Sequence, residues 1–133
     1  MDADMRVLAL DFGSARTGVA VSDATGTLAR PLCVVRKAMS DAGLERLEAL
    51  VTEHEVVRVV VGLPLTLRGE HGKQAQETEC FVDALRARVA VPVETFDERF
   101  TTALAARTPS KSPEDARAAA HLLQGWLERA ARS

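Results

Sequence analysis

Apolar residues along this chain switch between two spacings. Met5 to Asp11 is a nearly continuous apolar run closed by a carboxylate, as expected of a buried strand. Arg16 to Asp23 alternates moderately and ends at the turn Ala24-Thr25-Gly26. Leu28 to Arg36 reads as a third strand, in which Pro31 points to a sheet edge or a bulge. Beyond Ser40 or Asp41, either of which can cap a helix, the period lengthens and Leu44, Leu47, Leu50 and Val51 form a helical stripe. Val56 to Val61 is β-branched apart from Arg58, so it predicts a strand covered on both faces. It runs into Gly62-Leu63-Pro64-Leu65, and the polar, glycine-bearing stretch Thr66 to Lys73 predicts a mobile loop. From about Gln74 to Val89, a helix carries Ala75, Thr78, Val82, Leu85 and Val89 on one face, with Phe81 beside them. Val91 to Asp97, entered through Pro92, is a further strand. A short helix from about Thr101 to Arg107, a loop from Thr108 to Pro113 and a last helix from Pro113 to about Ala130 complete the pattern.

Strands that come first as a meander and then alternate with helices predict an α/β fold. Its mixed five-stranded sheet would combine an antiparallel meander of three strands with two parallel strands, with helices on both faces. No repeat, low-complexity stretch or linker interrupts the pattern, so residues 1–133 are expected to form one domain. Hydrophobic residues make up 47% and aromatics only 4%, which leaves Ala, Leu and Val to build the core. No apolar run approaches the roughly 20 residues that span a bilayer. The acidic start Met1-Asp2-Ala3-Asp4-Met5 lacks the order of a signal peptide, so a cytoplasmic protein with no membrane partner is expected. Cys33 and Cys80 read as small core residues in a strand and a helix, which disfavours a disulfide. With His54, His71 and His121 scattered, a structural zinc site is also disfavoured.

The chain has 17 basic and 19 acidic side chains, a formal net charge of −2. That balance argues mildly against a nucleic-acid partner. A carboxylate cluster weakens the argument, because it adds negative charge to the count yet presents positive charge once loaded with divalent cations. Three acidic positions fall where strands end or a helix begins: Asp11, the pair Asp97-Glu98, and Asp115. Adjacent strand residues point to opposite faces, so only one of Asp97 and Glu98 can join a cluster while the strand stays regular. Hard oxygen ligands from three segments suit Mg²⁺ or Mn²⁺, and two such ions about 4 Å apart can activate water against a phosphodiester. Each position also has a plainer use. Asp11 can cap a turn, Asp97-Glu98 can terminate a strand, and Asp115 completes a helix start with Ser112 and Pro113. Yet Asp115 shares a stripe with Ala119, Leu122 and Trp126, which turns it towards the sheet.

The ordered motifs resemble the YqgF/RuvX family. They are Asp11-Phe12-Gly13 with Thr17-Gly18-Val19-Ala20, Gly62-Leu63-Pro64-Leu65, Asp97-Glu98-Arg99 with Thr101-Thr102, and Asp115 with Ala118-Ala119. The resemblance covers nearly the whole chain. It implies a ribonuclease-H-like fold and a metal-dependent phosphodiesterase centre whose ligands are Asp11, Glu98 and Asp115, holding Mg²⁺ or Mn²⁺, with two ions expected. The function it implies is nuclease processing of the 5′ end of precursor 16S rRNA, with resolution of four-way DNA junctions as the alternative. The partner would then be structured RNA or branched DNA, including a ribosomal precursor, bound by a monomer or homodimer.

One departure stands out: Ala105 to Pro113 offers only Arg107 and Lys111, where family members often carry a longer basic loop. Substrate contacts are therefore expected from Arg16, Arg68, Lys73 and Arg99, since guanidinium groups match phosphate geometry. Two other classes compete. Asp11 to Val21 also resembles the first phosphate loop of actin-like and sugar kinases, but those need a second domain. A non-catalytic RNA-binding module of the same fold is the other.

Overall fold

The computed structural model describes residues 6–63, 72–97 and 114–131. Strands β1 (Val7–Asp11), β2 (Arg16–Ser22) and β3 (Ala29–Arg36) come first. Helix α1 (Asp41–Glu53), β4 (Arg58–Leu63), α2 (Lys73–Arg86), β5 (Val93–Asp97) and α3 (Glu114–Ala131) follow. The sheet runs β3-β2-β1-β4-β5. β1, β2 and β3 pair antiparallel, while β4 pairs parallel with β1 and with β5. The mixed five-stranded sheet expected from the sequence is therefore the one formed.

Alternation along the strands divides the core into two layers. Leu8, Leu10, Val19, Val21, Val59 and Val61 face Leu44, Leu47 and Leu50 of α1 and Phe81, Val82 and Leu85 of α2. Val7, Ala9, Ala20, Val60 and Phe96 face Ala119, Leu122, Leu123 and Leu127 of α3. β1 and β4 are thus covered on both sides, which is why their sequences are uninterrupted apolar runs.

β3 is an edge strand, and its irregularity comes from Pro31. Val19 pairs with Cys33 but Ala20 pairs with Pro31, so Leu32 is the extra residue of a bulge. Gln124 of α3 secures the beginning of this strand. Its Oε1 accepts the Ala29 N–H at 3.0 Å and its Nε2 donates to the Thr27 carbonyl at 3.1 Å.

Several boundaries and environments differ from the sequence reading. β4 begins at Arg58 rather than Val56, after a turn in which Glu55 has φ 51°. β5 begins at Val93, and the Pro92 carbonyl accepts the Val59 N–H at 2.9 Å. Lys73 is the first residue of α2 rather than part of the loop before it, because Gly72 can occupy the N-cap position without a side-chain bond. Cys80 lies on the exposed side of α2, one residue away from the buried stripe, and is not a core residue; Cys33 is half-buried. The segment 101–113 and the loop residues 66–71 lie outside the described residues. No helix among the described residues is long and apolar enough to cross a membrane.

Candidate carboxylate site at the sheet edge

Asp11 is the last residue of β1, at the carboxyl ends of the parallel strands β1, β4 and β5. Alternation puts it on the α3 face with Val7 and Ala9. The next residue, Phe12, goes to the opposite layer, where its ring stacks on Phe81 with centroids 4.4 Å apart and planes 17° apart. Asp11 is therefore flanked by a buried apolar residue and a stacked ring, both of which fix its facing. After the turn, the buried Thr17 hydroxyl lies 3.5 Å from both the N–H and the carbonyl of Gly13.

Gly18 is the register partner of Asp11, which puts their Cα atoms about 4.5–5.5 Å apart. A methyl group at Gly18 would overlap the main-chain carbonyl of Asp115. The first turn of α3 therefore rests directly on β2 through a contact that only glycine allows. Asp11 and Asp115, 104 positions apart in the sequence, both neighbour this one glycine. The Asp115 side chain is 35% exposed, and its Oδ2 lies 3.3 Å from Arg16 Nε. The amino end of α3 adds a partial positive charge where Asp115 sits.

Asp97 ends β5 in register with Leu63, on the layer opposite Asp11. Glu98, Arg99 and Arg68 lie outside the described residues, and Lys73 is exposed on α2, in that same opposite layer. Among the residues anticipated from sequence, the structure thus brings together Asp11, Asp115 and Arg16. Among the described residues, no three metal-ligating side chains form a group. Asp11 and Asp115 nevertheless fit a hard divalent cation, being carboxylate donors on one face beside a backbone saddle that a Cβ would fill.

Sequence reasoning missed Arg36 and Lys37. Arg36 is the register partner of Arg16, and both line an open concavity of about 550 Å³ with Lys37, Ser14 and Ala15. Cross-strand register brings these cations together, and only the adjacent pair Arg36-Lys37 was visible along the chain. Elsewhere, burial pushes the Cys33 thiol up, Arg46 opposing and Glu53 reinforcing it, which disfavours a reactive thiolate.

The RuvX family, described as Holliday junction resolvase, matches residues 5–129. The chain belongs to this family. A candidate pre-16S rRNA nuclease of Chloroflexus aggregans is 42% identical over 94% of this chain and 94% of its own length. A counterpart from Myxococcus xanthus is 39% identical over 93% of this chain and 88% of its own. Among solved structures, Thermus thermophilus RuvC in complex with a Holliday junction substrate is similar with a TM-score of 0.57 and 19% identity, over 95% of this chain and 96% of that one. The fowlpox virus Holliday junction resolvase matches with a TM-score of 0.55 and 10% identity, over 94% and 99%. At such identities these neighbours speak for the fold alone. This RuvX family member has the ribonuclease-H-like architecture of both.

Proposed function

We propose that this RuvX family member is a single-domain, divalent-metal-dependent nuclease that hydrolyses phosphodiester bonds in structured nucleic acid. Its substrate in this reading is the 5′ end of precursor 16S rRNA. The observation that carries the proposal is the meeting of Asp11 and Asp115 across Gly18, on one face at the carboxyl edge of the parallel strands. The names of relatives about 40% identical over most of the chain supply the substrate.

Asp11 and Asp115 would hold Mg²⁺ or Mn²⁺ together with Glu98. Asp97 faces the other layer, and the resemblance to the family supplies Glu98 as the third ligand. When bound, a pair of such ions would supply Lewis acidity and a lowered water pKa. The chain's own residues hold and orient: β1 fixes Asp11, the Gly18 saddle fixes Asp115, and Arg16 pairs with Asp115 where a bound cation would supply the positive charge. Arg16, Arg68, Lys73 and Arg99 are proposed to contact substrate phosphates. Hydrolysis of four-way DNA junctions is the second reading, favoured by the description of the matching family.

The test offers the purified protein a 5′-extended 16S precursor and a four-way DNA junction side by side, with Mg²⁺ or Mn²⁺. The precursor should be cut, and Asp11→Asn should abolish cutting without changing the circular-dichroism spectrum. A fully active Asp11→Asn protein would end the proposal, and cleavage of the junction alone would select the second reading. If neither substrate is cut and Mn²⁺ leaves the melting temperature unmoved, the non-catalytic module of the same fold is favoured, because a ligand of the native state must stabilise it.

A further inference from the structure

Arg16 and Arg36 form a basic rung on the α3 side of the carboxylate edge, and Lys37, just beyond β3, lines the same concavity. Arg36 is directly opposite Arg16 across the β2–β3 ladder, two positions beyond the rung of Gly18 and Val34. Like charges placed opposite one another destabilise a ladder unless an anion lies between them. Arg16 has Asp115 as a partner, but among the described residues no carboxylate pairs with Arg36 or Lys37. All three are exposed, in a protein whose net charge is negative.

The position of Lys37 is fixed from both sides. Its φ of 47° is uncommon for a residue with a side chain. Its N–H donates to the Ala15 carbonyl at 3.0 Å, and its carbonyl accepts the Ser40 N–H at 2.9 Å and the Ser40 hydroxyl at 2.6 Å. A Cβ at Gly43 would overlap that same carbonyl, so α1 presses against the turn. The Lys37 backbone is thus held in an uncommon conformation next to an arginine that, among the described residues, no carboxylate neutralises.

We infer that Arg36 and Lys37 bind the sugar-phosphate backbone of the nucleic acid one or more phosphates away from the one that is cut. β3 lies two strands from β1, about 10 Å away, so Arg36 is nearer to a flanking phosphate than to one held at Asp11. Arg16 stands between the two groups and links them, touching Asp115 on one side and lining the concavity on the other. The substrate strand would therefore run from the carboxylates across β2 and over the end of β3. This path rests on the nuclease reading of the carboxylate site, and it gives the shortened basic segment before Asp115 a counterpart elsewhere on the surface.

The test compares the parent with Arg36→Gln/Lys37→Gln, in EDTA so that binding is read without cutting. Labelled 5′-extended 16S precursor and four-way junction are separate probes, titrated between about 50 and 200 mM KCl, where phosphate contacts dominate the salt response. The double variant should lower the slope of log K against log salt by about 1.4–1.8 on the substrate that is cleaved, the loss of two phosphate contacts. It should also raise KM with kcat unchanged, and its melting temperature should not fall. Arg30→Gln, at the other end of β3, should leave the slope alone. A double variant with the parental slope overturns the inference, as does a parent that binds neither probe. The two readings fail separately: an active Asp11→Asn protein sinks the metal centre while leaving the slope change intact, and an unchanged slope sinks only the basic rung.

Discussion

Towards α1 and α2 the sheet meets leucine, valine and phenylalanine side chains, among them the fully buried Leu47, Leu50 and Phe81. Towards the first half of α3 it meets Ala9, Gly18 and Ala20, and the helix answers with Ala116, Ala119 and Ala120; its leucines come later, at Leu122, Leu123 and Leu127. Bulk on the first face removes apolar area from water, about 25 cal/mol per Å². Smallness on the second lets a helix backbone touch a strand backbone, and that contact sets Asp115 beside Asp11. Both layers bury apolar bulk, but only the near half of the α3 layer supplies proximity, and substitutions should separate the two roles.

The largest expected effect is on the leucine side. Leu47→Ala should remove about 2–5 kcal/mol of stability, measured by denaturant unfolding, because a fully buried side chain leaves a cavity. At temperatures where it is folded, its cleavage per folded molecule should match the parent; a loss of activity beyond the unfolded fraction would blur the division.

Gly18→Ala should cost less stability, about 1–3 kcal/mol as an overpacked contact, and far more cleavage. The added methyl must lift the first turn of α3, and Asp115 with it. Normal cleavage by a variant with an unmoved melting temperature would mean that the close approach does not matter.

Arg16→Gln breaks an ion pair that is largely exposed, so unfolding free energy should change by no more than about 1 kcal/mol. The informative reading is the rise in melting temperature on adding Mn²⁺. It should exceed that of the parent, because the cation no longer competes with a guanidinium for Asp115. An unchanged or smaller rise would refute Arg16 as a stand-in for the metal.

The smallest effect concerns His121 on α3, whose pKa is held below the ordinary 6.5 first by burial and then by the charge of Arg117. The unfolded chain takes up this proton more readily than the folded one. The contribution to stability is therefore present above pH 6.5 and lost as pH falls below it. His121→Gln should flatten the fall in melting temperature between about pH 7.5 and 5.5. Parallel parent and variant curves would assign the acid sensitivity to other groups.

Much of this was legible along the chain. The double-sided runs at β1 and β4, the helical stripes and the edge position implied by Pro31 all follow from periodicity, which is local information. Asp11 was readable as a strand-end carboxylate for the same reason. That Asp97 faces away from Asp11 follows from its register with Leu63, which alternation along one strand could not supply. The pairing of Arg16 with Arg36 needed register too, and the contact between Gly18 and Asp115 needed the packing of a helix 97 positions further on. Cys80 reads as core in the sequence because helical phase is ambiguous within one residue of a stripe, and Lys73 reads as loop because Gly72 caps α2 without a side-chain signature.

The margin formed by β3 has a consequence for how copies of this protein can meet. Pro31 carries no N–H, the bulge at Leu32 puts the ladder out of step, and the Ala29 donor is already spent on Gln124. A foreign strand approaching that side finds too few free donors to continue the ladder. Addition of a strand from a second copy is thereby disfavoured at β3, and the other border of this open sheet is β5.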